Sequence, residues 1–350
     1  MKPNFMLNAY RKYMYRCLQL AKLGQGKTKS NPMVGAVLVY NNMIIGEGYH
    51  EKFGEAHAEV NCLNNVSAAN KEKIPLSTLY VNLEPCHHFG KTPPCTQAIY
   101  NAKIPKVVIG TIDNNPLVEN KGIQFLNEND REVITGVCEK ECWRLNKVFF
   151  TNHKYKRPFI KLKWAESANG YMGSEKKKIA ISSEASNIIS HKYRTAVDGI
   201  LVGYHTARID QPSLNARHWK GKQPARIFID WNLNLSEAIV SKKGVRNIVM
   251  CLVKKKSNST TEFIQVEKNL NSILEALYNN NINSLLVEGG AKTHQKFIDA
   301  ALWDEAIVIK NDKDIQGSVP APRLNNGRII NEKHIDSDTI YHHSHSEFVL

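Results

Sequence analysis

The most constraining feature of this sequence is a set of four residues, His57, Glu59, Cys86 and Cys95, which can act together only where the fold brings them to one point. One histidine and two cysteines are typical ligands of zinc. No other group of histidines and cysteines in the sequence has a plausible ligand spacing. A His-x-Glu pair alone is usually a solvated helix start, and two distant cysteines are usually unrelated. The ordered set predicts one zinc ion held by His57, Cys86 and Cys95.

The same residues match the plan of zinc nucleobase deaminases, in which one His and two Cys bind the metal and a Glu that is not a ligand moves protons. Three protein ligands leave one zinc position for a water molecule, which the metal makes nucleophilic near neutral pH. Glu59 would be the catalytic residue that carries protons from that water. The alternative is a closed zinc site that only stabilises the fold, with His87 or His88 as the fourth ligand.

Two successive alternations of helix and strand patterns predict two α/β domains in this chain of 350 residues. The segment Thr151–Pro158 is polar and basic and lacks apolar periodicity, which predicts a linker. We therefore expect an N-terminal domain over residues 1–150 and a C-terminal domain over residues 157–350, separable by a cut in the linker. The predicted strands are Met33–Tyr40, Met43–His50, Thr78–Leu83, Lys106–Gly110, Phe159–Trp164, Gly199–Gly203, Ala225–Asp230, Asn247–Val253, Ser284–Val287 and Glu305–Lys310. The predicted helices include Tyr10–Leu23, segments from about His57 and Cys95, Ser183–Thr195, Leu270–Asn279 and Ala291–Ala300, and the C-terminal histidines are expected in a solvated tail.

The formal charge of +14 is spread along the chain. Lys and Arg outnumber Asp and Glu by 18 to 13 in residues 1–150 and by 29 to 20 in residues 151–350. Because this excess does not form one basic arm, phosphorylated metabolites explain it better than nucleic acid does. No stretch offers the roughly 20 apolar residues of a membrane span, and the start lacks a secretory signal, so we expect a cytoplasmic protein without a membrane partner. The sequence leaves the oligomeric state open, a homo-oligomer included.

The spacing of the two cysteines narrows the class of deaminase. Eight residues separate Cys86 from Cys95, whereas ordinary cytidine and tRNA adenosine deaminases have two between their cysteines. The block from Pro85 to Cys95 resembles the deaminase domain of the RibD family of bifunctional riboflavin biosynthesis proteins. The same resemblance covers Asn31–Val37, Gly48–His50, His57–Val60 and Asp113–Pro116.

This resemblance implies a cytidine-deaminase-like fold and a pocket for a phosphorylated pyrimidine. Amide and imidazole groups can read the pyrimidine edge through hydrogen bonds, and Lys91 suits the ribose phosphate as a point charge. The implied substrate-binding residues are Asn31, His50, His88, Lys91, Asp113 and Asn115.

The C-terminal half carries no Rossmann fingerprint, but a strand ending at Val287 runs into Glu288-Gly289-Gly290 and a helix. That arrangement can place backbone N–H groups against a phosphate. A longer ordered match resembles the reductase domain of the same family, which is similar in fold to dihydrofolate reductase. It runs through Lys163–Gly170, Arg194, Asp198–Gly203, Thr206, Asp210–Leu214, Arg217 and Val287–Gly290.

By this resemblance the second domain binds NADPH and the ribosyl substrate. The implied cofactor contacts are Ala165, Ser182, Thr206, Asp210, Gly290, Ala291, Lys292, Thr293, His294, Gln295 and Lys296. The implied substrate contacts are Lys163, Arg194, Leu214, Arg217 and Glu288, with the two arginines as a fork for the phosphate. The chain departs from the family pattern at Asn169, where Asp is common, and at Ala180, where a Trp forms part of the reductase pocket.

The implied reactions are successive. The first domain deaminates 2,5-diamino-6-ribosylamino-4(3H)-pyrimidinone 5′-phosphate, and the second reduces the ribosyl group to ribityl with NADPH. A rival enzyme is a nucleic-acid deaminase with a basic C-terminal binding domain, suggested by the charge of +14. A non-enzymatic rival is a zinc-stabilised nucleotide-binding module whose second domain has lost catalysis, suggested by Asn169 and Ala180.

Overall fold

The structure, a computed structural model, describes residues 3–90, 93–115, 118–174 and 179–346. The chain forms two compact units that meet between Tyr155 and Lys156. Each unit contains its own sheet and its own buried apolar core. No helix in the described part of the chain is long and apolar enough to cross a membrane.

The first unit is built on a five-stranded sheet with the order β2-β1-β3-β4-β5. β1 (Gly35–Tyr40) pairs antiparallel with β2 (Met43–Tyr49) and with β3 (Thr78–Leu83). β3, β4 (Lys106–Thr111) and β5 (Glu132–Ile134) pair in parallel. The parallel strands β3 and β4 are buried along almost their whole length and are mostly apolar, as expected where both faces of a sheet are covered.

Helices cover both faces of this sheet. They are α1 (Pro3–Lys22), α2 (Ala58–Asn64), α3 (Cys95–Asn101), α4 (Lys121–Glu128), α5 (Glu139–Leu145) and α6 (Lys147–Tyr155), with a 3₁₀ segment at Ala68–Leu76. Side chains of α1 and α5 pack with Val37 and Val39 of β1. Side chains of α2, α3 and α4 pack with Ala36 and Leu38, because alternate residues of a strand point to opposite faces.

The second unit is built on a nine-stranded sheet with the order β11-β10-β9-β8-β12-β6-β13-β16-β15. Its strands are β6 (Phe159–Glu166), β8 (Gly199–Gly203), β9 (Ala225–Ile229), β10 (Asn247–Cys251), β11 (Glu262–Gln265), β12 (Ser284–Val287), β13 (Glu305–Asn311), β15 (Gly327–Ile335) and β16 (Asp338–His345). The strands from β11 to β13 are parallel, and the hairpin β15–β16 adds antiparallel to β13. A separate two-stranded sheet joins β7 (Tyr171–Gly173) to β14 (Val319–Pro320).

Helices of the second unit pack on this sheet through two apolar clusters. The helices are α7 (Glu184–Thr195), α8 (Tyr204–Asp210), α9 (Glu237–Val240), α10 (Leu270–Asn279) and α11 (Ala291–Asp299). Apolar side chains of α10 and α11 pack in one cluster with β6, β9, β10 and β12. Apolar side chains of α8 and α9 pack in the second cluster, with residues of β8, β9 and β10 that point to the opposite face of the sheet.

Two sequence predictions about polar segments are wrong. Residues 151–155 form the second half of α6 and are not a linker, because Thr151 and Asn152 are buried. The histidines near the C-terminus belong to β15 and β16 and not to a solvated tail. His345 is buried and packs edge-on against Trp303, with 4.9 Å between the ring centroids.

A buried ion pair fixes the first residues of the second unit in place. The guanidinium of Arg157 donates to both oxygens of the Asp304 carboxylate, at 2.7 and 2.8 Å. The same carboxylate accepts the backbone N–H of Ile160 at 2.6 Å, which fixes the start of β6. Only Lys156 therefore separates α6 from a residue anchored in the second unit.

The burial of α6 predicts where the first unit can be cut. A fragment ending at Phe150 keeps only the first four residues of α6 and loses buried Thr151 and Asn152, so we expect it to unfold about 5 °C or more below a fragment ending at Tyr155. Thermal unfolding followed by circular dichroism measures the difference, and a fragment ending at Lys156 is the matched control. Equal midpoints for the fragments ending at Phe150 and Tyr155 would contradict the assigned role of α6.

Candidate active sites

Three side chains of the first unit converge on one point, and they are the predicted zinc ligands. Nδ1 of His57 lies 3.2 Å from Sγ of Cys95 and 3.5 Å from Sγ of Cys86, and all three atoms lie within 4.8 Å of one another. Ligand atoms about 2.0 to 2.3 Å from a tetrahedral zinc ion lie about 3.3 to 3.8 Å apart. The donor set and its spacing therefore fit a zinc ion.

Close packing of short elements holds these ligands in place. His57 immediately precedes α2, Cys86 lies in the loop after β3, and Cys95 is the first residue of α3. Helix α2 lies directly on β2, because a Cβ atom at Gly48 would collide with the backbone of α2. A larger residue at this position would push the helix, and His57 with it, away from the two thiols.

Glu59 lies beside the ligand cluster and is not part of it. It occupies the first turn of α2 and is 3% exposed. Burial raises the pKa of its carboxyl, although the neighbouring His57 lowers it. Hydrogen bonds with Cys95 and His57 lower the pKa of the Cys86 thiol, which favours the thiolate form that binds metal.

The alternative of a closed, purely structural zinc site loses support. Within the described part of the chain, the metal-ligand cluster consists of the His, Cys and Cys side chains alone. Nδ1 of His87 lies 2.8 Å from Oγ1 of Thr96, and its ring stacks on Phe125 at 4.4 Å. His88 is exposed and lines the cavity beside the cluster. An open coordination position is therefore compatible with the fold.

A cavity of about 320 Å³ adjoins the ligand cluster. The predicted site residues that line it are Asn31, His50, His57, Glu59, Cys86, His88, Asp113 and Asn115. Lys91, the remaining predicted substrate contact, lies outside the described residues. The structure thus brings the other deaminase residues named from the sequence to one place.

His50 is neutral in this arrangement. Its Nδ1 atom lies 3.1 Å from the carbonyl oxygen of Ala56, and its Nε2 atom lies 3.1 Å from Nδ2 of Asn31. Because a carbonyl can only accept, Nδ1 carries the proton and Nε2 accepts from the Asn31 amide. Burial also lowers the pKa of His50, which favours the neutral ring.

One carboxylate holds the loop that carries Asp113 and Asn115. Oε2 of Glu84 accepts the backbone N–H groups of Asp113 and Asn120 at 3.2 Å each, and Oε1 accepts that of Gly122 at 3.1 Å. Burial raises the pKa of the Asp113 carboxyl to about 6. The turn after β3 and the loop after β4 are therefore fixed to each other.

Two residues that line the cavity come from α6 and were missed by the sequence analysis. They are Phe149 and His153, whose ring centroids lie 4.3 Å apart. The polar composition of Thr151–Pro158 hid His153 and the helix that carries it, because that segment was interpreted as a linker. The four-residue spacing of Phe149 and His153 is the signal that could have revealed a common helix face.

In the second unit, predicted substrate residues form a charged cluster. Arg194 donates to the Glu288 carboxylate at 3.0 Å through Nε and at 2.6 Å through Nη2. Burial lowers the pKa of Lys163, while the Glu288 carboxylate raises it. The fork of Arg194 is therefore already occupied by a carboxylate, in contrast to its predicted use on a phosphate.

Arg217 joins this cluster through Asn215. Its Nη1 atom donates to Oδ1 of Asn215 at 3.1 Å, while Nη1 of Arg194 donates to the carbonyl of the same residue at 3.0 Å. Burial, together with repulsion from both arginines, lowers the pKa of the adjacent His191 to about 4. Leu214, by contrast, is 2% exposed and belongs to an apolar core.

A second cavity, of about 370 Å³, lies at the carboxyl ends of β8 and β9. Lys292, Thr293 and Lys296 of the predicted cofactor turn line it. The other lining residues were not predicted as cofactor contacts, and they are Gly203–His205, Ile229–Asn232, Asn234 and Leu270. Residues that follow parallel strands at this edge are the usual ligand contacts of α/β sheets, and that rule would have found most of them.

The other residues of the predicted cofactor set have different surroundings. His294 is fully buried, its Nδ1 atom lies 3.2 Å from the carbonyl oxygen of Gly290, and its Nε2 atom lies 3.1 and 3.0 Å from those of Lys163 and Val287. Burial lowers its pKa to about 4, so the ring is neutral and only one of the two nitrogens donates. Gln295 bonds Asp299 and the backbone of Arg323.

The remaining predicted cofactor contacts lie at the start of α11 or in other elements of the second unit. A Cβ atom at Gly290 would come within 2.9 Å of Oγ1 of Thr206, and Ala291 begins α11. Ser182 donates to Asn187, Asp210 ends α8, and Ala165 lies in β6.

Comparison with known proteins places these two sites in one family. A family model described as "Cytidine and deoxycytidylate deaminase zinc-binding region" matches residues 7–111, and one described as "RibD C-terminal domain" matches residues 158–313. The Riboflavin biosynthesis protein RibD of Aquifex aeolicus is 40% identical over 312 residues, which is 85% of each chain. The chain belongs to the RibD family. As a RibD protein, it is a bifunctional enzyme of riboflavin biosynthesis, with a zinc-binding deaminase unit and a reductase unit whose family implies a nicotinamide cofactor.

Two further relatives resemble nearly the whole chain and a part of it. A crystal structure of a diaminohydroxyphosphoribosylaminopyrimidine deaminase/5-amino-6-(5-phosphoribosylamino)uracil reductase from Thermotoga maritima has a TM-score of 0.85 and 32% identity, and the match covers 97% of this RibD chain and 99% of that chain. The diaminohydroxyphosphoribosylamino-pyrimidine deaminase of Buchnera aphidicola is 48% identical over 138 residues, which is 39% of this chain and 91% of that protein. The nucleic-acid deaminase is not favoured by these matches.

The ligand cluster predicts one zinc ion per chain. Replacement of Cys86 with serine should abolish stoichiometric zinc, because a serine hydroxyl is not ionised at neutral pH and is a poor zinc ligand. Metal analysis of the purified protein measures this, with Cys138→Ser, outside the cluster, as the control that should keep its zinc. Full zinc occupancy in Cys86→Ser would remove the assigned ligand set.

Proposed function

We propose that the first unit deaminates 2,5-diamino-6-ribosylamino-4(3H)-pyrimidinone 5′-phosphate and that the second reduces the ribosyl group of the product to ribityl with NADPH. The observation that carries this proposal is the convergence of three zinc-ligand atoms within 4.8 Å beside a cavity that Glu59 also lines. The name of the Thermotoga maritima relative, a deaminase and reductase of phosphoribosylamino pyrimidines, supports the class of substrate.

Glu59 is the proposed proton carrier of the deaminase. When bound, zinc supplies the Lewis acidity that makes a water molecule nucleophilic near neutral pH. The Glu59 carboxylate accepts the proton of the attacking water and delivers protons to the pyrimidine nitrogen and to the departing ammonia. Its place in the first turn of α2, two residues after His57, keeps it next to the metal without making it a ligand.

The polar residues of the cavity are the proposed readers of the pyrimidine edge. Asn31, Asp113 and Asn115 offer both hydrogen-bond donors and acceptors at the cavity wall. His50 keeps the Asn31 amide oriented, because its neutral ring accepts from Nδ2. Glu84 keeps the loop that carries Asp113 and Asn115 at a fixed distance from the turn that carries Cys86.

The reductase needs a proton as well as a hydride. When bound, NADPH supplies the hydride for C1′ of the ribosyl group, and breakage of the bond from C1′ to the ring oxygen requires a proton at that oxygen. We assign this proton to the ammonium of Lys163. Burial lowers the pKa of this group, and the Glu288 carboxylate compensates its positive charge. Arg217 is the proposed partner of the substrate phosphate, because the guanidinium of Arg194 is paired with Glu288.

The lysines of α11 support NADPH as the nicotinamide cofactor. Lys292 and Lys296 are four residues apart, so they lie on the same face of α11, and both line the 370 Å³ cavity. His205 lines the same cavity. Cationic side chains there suit the additional 2′-phosphate that distinguishes NADPH from NADH.

We also propose that the two activities divide between residues 1–155 and 156–350. The described residues that line the first cavity fall between Asn31 and His153, and those that line the second fall between Gly203 and Lys296. The Buchnera aphidicola deaminase, 91% of which matches 138 residues of this chain, supports an independent first unit.

Replacement of Glu59 with glutamine tests its role as a proton carrier. The amide can occupy the same place but cannot exchange protons, so ammonia release should fall by about 10²- to 10⁴-fold. Zinc content and NADPH-dependent reduction of already deaminated substrate should stay at wild-type values, which makes them the controls. Deamination within about tenfold of wild type would contradict the assignment.

Cofactor choice is tested by the double variant Lys292→Ala/Lys296→Ala. Loss of charge-assisted contacts should weaken binding of 2′,5′-ADP at least about tenfold and leave binding of 5′-ADP nearly unchanged. Calorimetric titration measures both, and Lys333→Ala on exposed β15 is the control. An equal loss for the two nucleotides, or wild-type enzyme that uses NADH as efficiently as NADPH, would overturn the proposal.

A further inference from the structure

One arginine of the second unit is buried within its central sheet. Arg226 lies in β9 between the apolar residues Ala225 and Ile227, and it is 4% exposed. Its guanidinium lies over the ring of Phe228, 4.9 Å from the ring centroid. Burial lowers the pKa of this guanidinium. Because removing a cation from water is costly, a residue of this kind is expected where its hydrogen bonds hold other parts of the fold in place.

The guanidinium of Arg226 joins three separate segments of the chain. Nη1 donates to Oδ1 of Asn247 at the start of β10, at 2.9 Å. Nη2 donates to the carbonyl of Ile239 in α9 at 2.9 Å and lies 3.4 Å from the carbonyl oxygen of Pro212. Among the residues that the structure describes, these acceptors include no carboxylate, and Nε has no hydrogen-bond partner. An unsatisfied buried donor costs stability, so the arrangement is not one that stability alone would favour.

The segment around Pro212, which follows α8, has an unfavourable backbone conformation. Gln211 and Leu214 have φ values of 42° and 46°, in the left-handed region that disfavours residues other than glycine. Such a conformation persists only where surrounding contacts impose it. Leu214 is buried in the apolar cluster of α8, α9 and β9, and the Pro212 carbonyl faces Arg226. Burial of Leu214 and the guanidinium of Arg226 thus hold the two halves of this segment.

The same segment leads directly into the group proposed to bind the substrate phosphate. The carbonyl of Asn215, the residue after Leu214, accepts Nη1 of Arg194 at 3.0 Å. Oδ1 of Asn215 accepts Nη1 of Arg217 at 3.1 Å, and Arg217 is exposed. A displacement of the backbone before Asn215 would therefore move the guanidinium of Arg217 relative to that of Arg194.

We infer that Arg226 is a positioning residue of the reductase, which holds the Pro212 carbonyl and through this segment sets Arg217 for the substrate phosphate. Arg226 is buried in the sheet and is not among the residues that line the 370 Å³ cavity, so it acts through the segment and not by contact with the cofactor. The inference rests on the phosphate contact of Arg217 proposed above. A purely structural arginine would affect stability and would not discriminate between substrates with and without a phosphate.

Reduction by the full-length enzyme tests the inference with two substrates, the deaminated ribosyl phosphate and the same compound without its phosphate. Arg226→Lys keeps the charge, but one ammonium cannot span the three acceptors. KM for the phosphorylated substrate should therefore rise about tenfold, while kcat, KM for NADPH and KM for the dephosphorylated compound stay within about threefold. Arg246→Ala is the matched control, because this guanidinium of the same unit pairs with Glu262, and it should leave all these values unchanged.

A double-mutant cycle shows whether Arg226 acts through Arg217. In the Arg217→Ala background, Arg226→Lys should change KM for the phosphorylated substrate by less than about twofold, because the group on which it acts is absent. The same factor in both backgrounds, or an equal rise of KM for the two substrates, would give Arg226 a structural role alone and overturn the inference.

Other outcomes concern the proposals on which the inference rests. Absence of NADPH-dependent reduction by the wild-type enzyme would reject the proposed reaction, and an unchanged KM in Arg217→Ala would reject the phosphate contact. If Arg226→Lys does not fold, as judged by thermal unfolding, Arg226→Gln replaces it in the same cycle, since its amide can still donate to a carbonyl. Failure of both variants to fold would make Arg226 a residue of the core and would also overturn the positioning role.

Discussion

Parallel pairing of buried strands places the polar residues of each unit at one edge of its sheet, because the carboxyl ends of neighbouring parallel strands lie together. In the first unit, β3 leads into Glu84 and Cys86, and β4 leads into Asp113 and Asn115. In the second unit, β9, β8 and β12 lie side by side, and the residues after β8 and β9 line one cavity. The antiparallel hairpin β1–β2 supplies the base on which α2 rests, and α2 brings His57 to the same edge.

Each unit also places a buried or nearly buried carboxylate immediately after a central parallel strand. Glu84 follows β3 and is compensated by backbone N–H groups of the loop after β4. Glu288 follows β12 and is compensated by the guanidinium of Arg194. A carboxylate removed from water is stable only when such donors surround it, so each loop or side chain that donates is held at a defined distance from the strand. The turn that carries Cys86 and the loop that carries Asp113 and Asn115 are consequently held to each other by Glu84.

Buried elements could be predicted from the sequence, and elements with a large polar face could not. Three strands agree residue for residue with the prediction, Thr78–Leu83, Gly199–Gly203 and Ser284–Val287, because short apolar runs between turn residues have few other interpretations. The two residues between the predicted strands Met33–Tyr40 and Met43–His50, Asn41 and Asn42, form a tight hairpin turn, and both adopt the positive φ that asparagine tolerates. α6 was missed because its buried residues are Thr151 and Asn152 as well as Phe150. β15 was missed because eight of its nine residues are exposed, so no alternation of apolar and polar residues marks it.

The two departures from the family pattern have different structural meanings, and this bears on whether the second unit is a catalyst. Asn169 uses both ends of its carboxamide on one residue: Nδ2 donates to the carbonyl of Ile315 at 3.0 Å, and Oδ1 accepts its N–H at 3.2 Å. An ionised Asp could accept that N–H but could not donate to the carbonyl, so Asn169 is suited to this loop and is not a sign of decay. Ala180 is exposed, and nothing in the structure explains the replacement of Trp at this position. The non-enzymatic interpretation is not favoured, because the chain belongs to a family of bifunctional enzymes and because Lys163, Glu288 and Arg194 form an intact charged cluster. A loss of catalysis would be expected to relax that costly cluster before a surface loop, and its retention favours a working reductase.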